Sequence, residues 1–436
     1  MTTDAIDQPS PSSTPVSTQS RERTWEDVHA EVRYSIVSIE SAFPFPFGIT
    51  SPKTSFGTGF VVDSEVGIIL SNLHIMGVCP TTHKATFDTN EFVYLQPLHY
   101  DPIHDFAFFR YDPAALKHTK PKSIKLFPEG ARPGVPFQMI GNASGEKLTV
   151  CSGTLSQVNR NSPERSDDQD VNTFYFQAST TSAGGSSGSP VLDINGNAIA
   201  LNAAKNLQNG SSFFLPLDRI VYSLEYIRRG EQVPRGTVQT VFVFETYDEM
   251  QRLGLPEKEA DSSRLANPKS EGMLVVETVL RSGPADRALE TGDIVVSLSG
   301  TLICDFVGLE SALDANVNGT VDFVVSRKGE LVPVTVNVQD MYDVTPTQLL
   351  DIETATLHNM SLLLAHKHLS PVTGVYVADH VDMFLPTVDL ETYRLIISAN
   401  GTPTPDLTAL LGVFRTVPVG QPMILKIASL RNIDNY

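Results

Sequence analysis

The chain of 436 residues is poor in cysteine and in basic side chains. Its three cysteines lie far apart and form neither a CxxC pair nor a zinc-type spacing with histidine: they are Cys79, Cys151 and Cys304. Such usage favours a reducing, intracellular compartment over a disulfide framework. The 32 Lys and Arg residues face 50 Asp and Glu residues, which leaves a formal net charge of -18. That charge repels phosphate backbones and anionic lipid, so we expect no nucleic acid and no membrane among the partners.

Long hydrophobic runs are also missing. No stretch approaches the roughly 20 continuous apolar residues of a membrane-spanning helix, and the opening MTTDAIDQPS has neither the basic nor the apolar part of a signal peptide. We therefore expect neither secretion nor membrane insertion. The 41% apolar and 19% charged residues are typical of a packed globular protein. At about 150 residues per domain, this length predicts roughly three domains.

The N-terminal segment changes character near residue 24. Residues 8–20, QPSPSSTPVSTQS, are too polar to offset the entropy of ordering a backbone, and we predict a disordered tail over 1–23. Thr24 with Asp27 three residues later is typical of a helix start. Apolar residues then recur at helical spacing, at Val28, Val32 and Ile36.

From about residue 35 to residue 217 short β-type runs alternate with Gly, Asn and Pro. They are SIVSI, GTGFVV, GIILSN, FVYLQPL, FAFFRY, FQMIGN, KLTVCSGTLSQV, TFYFQA, SPVLDI, AIALNA and SFFLPL. Runs at this density, without helical crossovers, predict an all-β barrel or sandwich rather than a parallel α/β sheet. The amphipathic stretch 217–229 before Gly230 predicts a closing helix, so that the first domain spans 24–229.

The rest of the chain repeats itself loosely. The β-type blocks GMLVVETV, VVSLSG and TVDFVV have counterparts about 100 residues later in GVYVADHV, IISANG and QPMILKI. This period is too long for a solenoid repeat. It predicts two copies of one domain, over 235–340 and 345–432.

The strongest local signal is the glycine-rich turn GGSSGSP at 184–190. Glycines on both sides of Ser187 can present its hydroxyl free of its own backbone, and the N–H groups of Gly185 and Ser187 can converge on one oxygen. Those properties suit a nucleophile with an oxyanion hole. Taken alone, the same letters also describe an ordinary flexible loop.

A nucleophilic serine needs a base and a carboxylate to orient that base. His74 lies at the end of a strand, and Asp105 stands immediately before the apolar strand FAFF, where a carboxylate can be held semi-buried. Either residue alone is more simply explained as a satisfied structural polar group. Their occurrence in the order His, Asp, Ser within one β-rich domain favours a catalytic triad.

These residues resemble the chymotrypsin-fold serine peptidases, and GTGFVVDSEVGIILSNLHIM resembles their HtrA (DegP-like) branch. DPIHDFAFFRYDP, SAGGSSGSP and FFLPLDR are similar to the fungal nuclear pro-apoptotic HtrA-type proteases. The resemblance implies a mainly β fold with two six-stranded barrels, the triad between them, and two PDZ-like α+β domains. It assigns His74 as general base, Asp105 as its orienting carboxylate and Ser187 as nucleophile, with the Gly185 and Ser187 N–H groups as oxyanion hole.

The activity that this resemblance implies is an ATP-independent serine endopeptidase that cleaves unfolded or regulatory proteins, in apoptosis, stress or protein quality control. Protein or peptide substrates are the expected partners, and the nucleus is the expected location by resemblance alone. No metal or organic cofactor is expected, because the protein supplies nucleophile, base and oxyanion donors. Trimers are common among HtrA proteases, but nothing in this sequence decides whether the chain forms a homo-oligomer.

Specificity residues depart from the trypsin pattern. Ser186 provides no carboxylate for a new N-terminal ammonium, so activation by N-terminal cleavage is not expected. Thr181 stands where a trypsin-like pocket carries Asp, which predicts cleavage after small or medium apolar residues. We predict Leu201, Asn202 and Ala203 as the strand that pairs with substrate. The alternative is that these three residues only pack the barrel.

In the first PDZ-like block, RGTVQT at 235–240 occupies the place of a carboxylate-binding loop. Backbone groups of Thr237, Val238 and Gln239 would capture a peptide C-terminus there. The usual Gly-Leu-Gly-Phe type sequence is absent, so a purely structural or regulatory module is the alternative. The second block departs further and is expected to bind no peptide.

The proteases that the chain resembles are roughly twice as long, with a second, degenerate protease and PDZ-like half. The sequence leaves open whether the chain is a natural half-length protein or a truncation. It also leaves a second hypothesis from another class, a catalytically silent chaperone or scaffold with PDZ-like domains.

Overall fold

The computed structural model describes residues 21–48, 51–142, 148–162, 170–180, 185–206, 210–352, 355–380 and 394–430. The disordered tail predicted for 1–23 lies almost wholly outside these residues, and so does Thr181. None of the helices in these ranges combines the length and the hydropathy of a membrane-spanning segment.

A short helix leads into the first barrel as the sequence predicts. Helix α1 (Trp25–Val32) starts with a capping box, in which the Thr24 hydroxyl accepts the N–H of Asp27 and the Asp27 carboxylate accepts the N–H of Thr24. The last predicted helical position, Ile36, instead begins a strand, because a 3₁₀ turn over Arg33–Ser35 ends the helix.

The first barrel closes through six antiparallel strands in the order β1-β2-β3-β6-β5-β4. They are β1 (Ile36–Phe43), β2 (Lys53–Asp63), β3 (Ile68–Ser71), β4 (Thr82–Phe87), β5 (Phe92–Tyr100) and β6 (Ala107–Arg110), with the short helix α2 (Leu73–Met76) after β3. Strand β4 was missing from the sequence prediction because one of its inward positions is a histidine. His83 is 1% exposed and bonds the Ser41 hydroxyl at 2.8 Å, and burial lowers its pKa to about 4.

The second barrel closes in the order β10-β11-β12-β9-β8-β7. Its strands are β7 (Pro136–Asn142), β8 (Leu148–Asn161), β9 (Phe174–Ala178), β10 (Pro190–Leu192), β11 (Ala198–Asn206) and β12 (Ser211–Leu215), and helix α3 (Asp218–Arg229) follows, ending at Gly230 with φ 71°. Phe60 and Phe108 of the first barrel share one buried cluster with Tyr175 and Leu192 of the second. The predicted mainly β, double-barrel fold is therefore confirmed.

Two α+β units follow, each built around a six-stranded antiparallel sheet. The first contains β13 (Gly236–Thr237), β14 (Thr240–Thr246), α4 (Tyr247–Arg252), α5 (Glu257–Ala266), β15 (Gly272–Val279), β16 (Ile294–Leu298), β17 (Thr301–Leu302), α6 (Phe306–Asp314), β18 (Thr320–Arg327), β19 (Glu330–Asn337) and β20 (Gln339–Asp340). The second contains β21 (Leu349–Ile352), β22 (Ala355–Asn359), α7 (Leu362–His368), β23 (Val375–His380), β24 (Arg394–Ala399), β25 (Thr402–Pro403), α8 (Leu407–Phe414) and β26 (Leu425–Ser429). The order β15-β16-β17-α6-β18 recurs as β23-β24-β25-α8-β26, which is the structural counterpart of the sequence repeat. The domain boundaries stay predictions.

Candidate active site

His74 and Asp105 meet directly at the mouth of the first barrel. Nδ1 of His74 lies 2.8 and 3.0 Å from the two carboxylate oxygens of Asp105, and the backbone N–H of His74 donates to Oδ1 at 3.0 Å. The Asp105 side chain is 5% exposed and that of His74 is 36% exposed. A buried carboxylate thus holds an imidazole whose other side reaches solvent, as the predicted roles of orienter and base require.

The local fold fixes Asp105 from three sides. Its backbone N–H donates to the Asp170 carboxylate at 3.0 Å, and its carbonyl accepts the side-chain amide of Asn72 at 2.8 Å. Just before it, Oδ1 of Asp101 accepts the N–H groups of Ile103 and His104 at 3.0 and 2.9 Å. We call residues 101–105 the Asp105 loop.

The Ser187 turn is held against the first barrel by Thr58 of β2. The Thr58 N–H donates to the Ser187 carbonyl at 2.8 Å, and the Thr58 hydroxyl donates to the Gly185 carbonyl at 3.0 Å. Gly185 and Gly188 adopt φ values of 87° and 84°, which glycine tolerates best. The Thr58 carbonyl in turn accepts the hydroxyl of Ser71, three residues before His74. The turn and the His74 segment therefore share one contact residue.

The Ser187 turn also depends on Asn202 of β11. The Asn202 amide donates to the Ser186 carbonyl at 2.7 Å, and the Asn202 backbone exchanges bonds with Gly188 N–H and the Ser189 carbonyl. Leu201 and Ala203 pack in the barrel core. The described contacts of these three residues are thus structural, which is the alternative that the sequence left open, and their pairing with substrate stays a prediction.

Within the described part of the chain, the N–H groups of Gly185 and Ser187 donate to no protein acceptor, so both can serve an oxyanion. Among the same residues no hydrogen bond joins the Ser187 hydroxyl to the His74 ring. The structure therefore assembles the His–Asp pair and places the serine turn beside Thr58 and Ser71, but it leaves the last link of the triad unmade. Such links are commonly long in free enzymes and tighten with substrate.

Gly188 provides a test of this arrangement. A Cβ at Gly188 would press on the Thr58 carbonyl and lie 2.5 Å from the Ser71 hydroxyl. We expect Gly188→Ala to displace Ser187 and lower kcat/KM on casein by about 10²-fold. Gly134→Ala is the control, because Gly134 has the same φ of 84° with nothing within 4 Å of its Cβ. Wild-type activity in a folded Gly188→Ala protein would mean that the close contact with Thr58 and Ser71 does not position Ser187.

The predicted peptide loop of the first α+β unit is closed in the structure. Thr237, Val238 and Gln239 are 5%, 1% and 6% exposed, and the Gln239 N–H is taken by the Thr237 hydroxyl. The neighbouring Gly236 N–H donates to the Asp314 carboxylate at 2.8 Å. These contacts favour the structural module, and peptide capture by this loop stays a prediction.

Sequence reasoning missed Thr58, Asn72 and Asp170. The one signal for Thr58 was the motif GTGF, since a Cβ on Gly57 would meet Ile75 at 2.6 Å and one on Gly59 would meet Ile69 at 2.7 Å. These glycines let Thr58 sit close to the neighbouring segments. Asn72 stands two residues before His74, but nothing in the sequence links it or Asp170 to Asp105.

Burial controls the charge of the groups around the Asp105 loop. Desolvation lowers the pKa values of His99 and His104 to about 4, so both rings are neutral near pH 7. Burial is the largest single influence on Asp101 and raises its pKa, but the charge of Arg235 acts with several smaller contributions to outweigh it and hold that pKa well below its ordinary value. Among the described residues no group of three or more His, Cys, Asp or Glu could hold a metal ion.

Comparison with known proteins finds similar sequences and similar folds. A family model for the trypsin-like peptidase domain matches residues 57–201, which include His74, Asp105 and Ser187. The pro-apoptotic serine proteases NMA111 of Eremothecium gossypii and Yarrowia lipolytica are 37% and 38% identical over 406 and 413 residues. Over nearly all of its length the chain is similar to the fungal pro-apoptotic serine proteases. The alignments include 92% and 94% of the chain but only 42% of each fungal protein, so the chain spans about two-fifths of their length.

Solved structures of HtrA-type proteases share the fold of this chain. The HtrA-type protease AlgW with a tripeptide superposes with a TM-score of 0.55 at 22% identity, over 72% of this chain and 97% of AlgW. AlgW with a decapeptide gives 0.52 at 20% identity, over 73% and 98%. At these identities the likeness supports the fold alone.

Proposed function

We propose that this chain is a serine endopeptidase that works through an acyl-enzyme. The observation that carries the proposal is the buried Asp105 carboxylate on His74 Nδ1, beside a serine turn whose Gly185 and Ser187 N–H groups have no acceptor among the described residues. The trypsin-like family match over 57–201 supports the same chemistry.

In the proposed reaction, the Ser187 oxygen attacks the scissile carbonyl carbon while Nε2 of His74 takes the hydroxyl proton. The negative oxygen of the tetrahedral intermediate is stabilised by the Gly185 and Ser187 N–H groups. His74 then gives its proton to the leaving amine as the C–N bond breaks, which leaves an ester on Ser187. A water molecule activated by His74 attacks that ester, and its collapse restores the serine. Throughout, Asp105 holds the Nδ1–H and stabilises the imidazolium.

The proposed substrates are unfolded or regulatory proteins, cleaved without ATP after small or medium apolar residues. The peptides named in the AlgW structures support peptide recognition by that architecture. The Thr181 argument for this preference rests on the sequence alone. A role in apoptosis, stress or quality control, nuclear localisation and self-association are further predictions from the resemblance.

A fluorophosphonate probe tests the proposal, because it reacts with a serine activated by an assembled triad. We expect stoichiometric labelling of folded protein, mapped by mass spectrometry to Ser187, and none of heat-unfolded protein. Casein cleavage should be lost in proportion to labelling. A folded protein that neither labels nor cleaves casein would refute the protease and favour the catalytically silent chaperone or scaffold.

A further inference from the structure

Five charged side chains are buried together where the catalytic unit meets the first α+β unit. We call them the junction cluster, and they are Asp101, Arg219, Arg235, Glu310 and Asp314, all at most 7% exposed. They come from the Asp105 loop, from α3, from the linker after α3, and from α6. Charges are almost never fully buried without a partner, so these contacts define how the units are joined.

Arg235 is the centre of this cluster, with a side chain that is 0% exposed. Its Nε lies 2.9 Å from Oδ2 of Asp101, and its Nη2 donates to Oδ1 of Asp101 at 3.3 Å. On the other side, Nη1 donates to Glu310 at 2.7 Å and to Asp314 at 3.3 Å. The planar guanidinium thus bridges the Asp105 loop and helix α6, which a lysine ammonium cannot do in the same way.

Asp101 transmits this contact to the active site. The Oδ1 atom near Arg235 also accepts the N–H groups of Ile103 and His104, at 3.0 and 2.9 Å. Asp105, which holds His74, is the next residue. An ionised Asp101 is the stronger acceptor for those N–H groups, and Arg235 makes the largest single contribution to keeping it ionised despite its burial.

The rest of the Asp105 loop is also enclosed by the C-terminal part of the chain. Ile103 is 3% exposed and packs in one cluster with Leu280, Met341 and Met360. The Nε2 atom of His104 lies 3.0 Å from the carbonyl oxygen of Val171. These contacts restrict the conformation of the Asp105 loop as long as Asp101 remains paired with Arg235.

We propose that Arg235, a residue outside the barrels, is a positioning residue for the catalytic site. It holds Asp101 ionised, Asp101 shapes the loop, and the loop sets the Asp105 carboxylate on His74. The inference rests on the proposed function only through the role of Asp105. Without Arg235 the cluster has three carboxylates facing the single cation Arg219, so Asp101 takes up a proton or turns away and its bonds to the loop weaken.

The test compares Arg235→Met with Glu310→Gln, each in the full chain. Arg235→Met keeps an unbranched side chain and removes the partner of Asp101. Glu310→Gln disturbs the same buried cluster on the side away from the loop, since Arg235 keeps Asp101 and Asp314. We expect at least a tenfold lower rate of fluorophosphonate labelling for Arg235→Met and a change within about twofold for Glu310→Gln. The loss should appear in kcat on casein with KM unchanged, because Asp105 acts on proton transfer rather than on binding.

Adding Asp101→Asn to Arg235→Met should restore several-fold of the lost rate. Asparagine keeps an acceptor oxygen for Ile103 and His104 and removes the carboxylate that lost its cation. Hydrogen–deuterium exchange provides a readout independent of activity. The Ile103 and His104 amides should exchange at least tenfold faster in Arg235→Met and at wild-type rates in Glu310→Gln.

The outcomes separate this inference from the protease proposal. A wild-type protein that does not label would defeat the proposed function, while faster loop exchange in Arg235→Met would still support the link from Arg235 to the loop. A folded Arg235→Met protein with wild-type labelling and exchange would overturn the inference, and so would an equal loss in Glu310→Gln. If Arg235→Met does not fold, Arg235→Lys keeps one ion pair at a time and should show an intermediate loss in both measurements, with wild-type values again overturning the inference.

Discussion

Replacing Ser187 with alanine is expected to lower kcat/KM on casein by about 10⁵-fold or more, the scale on which serine hydrolases lose activity without their nucleophile. The turn itself should persist, because the bonds that hold it do not use the Ser187 hydroxyl: the Thr58 N–H donates to the Ser187 carbonyl, and the Gly188 N–H donates to the Asn202 carbonyl. The midpoint temperature of thermal unfolding should therefore stay within a few degrees of the wild-type value.

Ser189→Ala is the matched control for this experiment. Ser189 lies two residues further along the chain, is 0% exposed, and its hydroxyl has no hydrogen-bond partner among the described residues. Loss of that hydroxyl should leave hydrolysis and fluorophosphonate labelling close to wild type. Residual cleavage of more than about 1% in Ser187→Ala, with no contaminating protease, would mean that another group is the nucleophile.

Most of the barrel fold could be predicted from the sequence, because nearly every barrel strand has a recognisable local pattern of its own. Runs such as GIILSN and FAFFRY place apolar residues at successive or alternate positions between Gly, Asn and Pro, and each became a strand. Strand β4 was missed for a physical reason. One of its buried positions is occupied by a neutral histidine, His83, which bonds Ser41, and not by a β-branched residue. Local pattern does not reveal such a buried polar pair.

The candidate site was predictable to the same degree, and for a related reason. His74, Asp105 and Ser187 were predicted because glycines and strand ends mark where a side chain can be presented. Arg235 could not be found in this way, because a single arginine in a linker reads as a solvated charge. Its role is visible only in the folded chain, where Asp101 and Glu310 both contact its guanidinium. These residues are 134 and 75 positions away in the sequence.

The triad and the junction cluster use carboxylates in opposite ways. Asp105 is buried and pairs with an imidazole that must change its protonation state during the reaction. Asp101 pairs with Arg235, which stays protonated throughout, and so Asp101 can serve as a fixed support for the loop. One carboxylate therefore stabilises the imidazole whose protonation changes, and the other fixes the geometry of the loop.

Asp105→Asn is expected to lower kcat by about 10⁴-fold while the protein stays folded. Asparagine is close in shape and can still accept the His74 backbone N–H, which Oδ1 accepts at 3.0 Å. An amide nitrogen placed toward His74 Nδ1, however, favours the tautomer that carries its proton on Nε2. That nitrogen can then no longer take the proton of Ser187, and no carboxylate remains to stabilise the imidazolium.

Asp88→Asn is the control for Asp105→Asn, because it removes a carboxylate from the same barrel. Asp88 forms an ion pair at the surface with Arg33 at 2.9 Å and has no described contact with His74 or Asp105. Exposed pairs of this kind contribute about 0–1 kcal/mol, so activity should not change and stability should change little. A loss of less than tenfold in Asp105→Asn, measured beside this control, would mean that Asp105 does not orient the base and that its contact with His74 serves the fold alone.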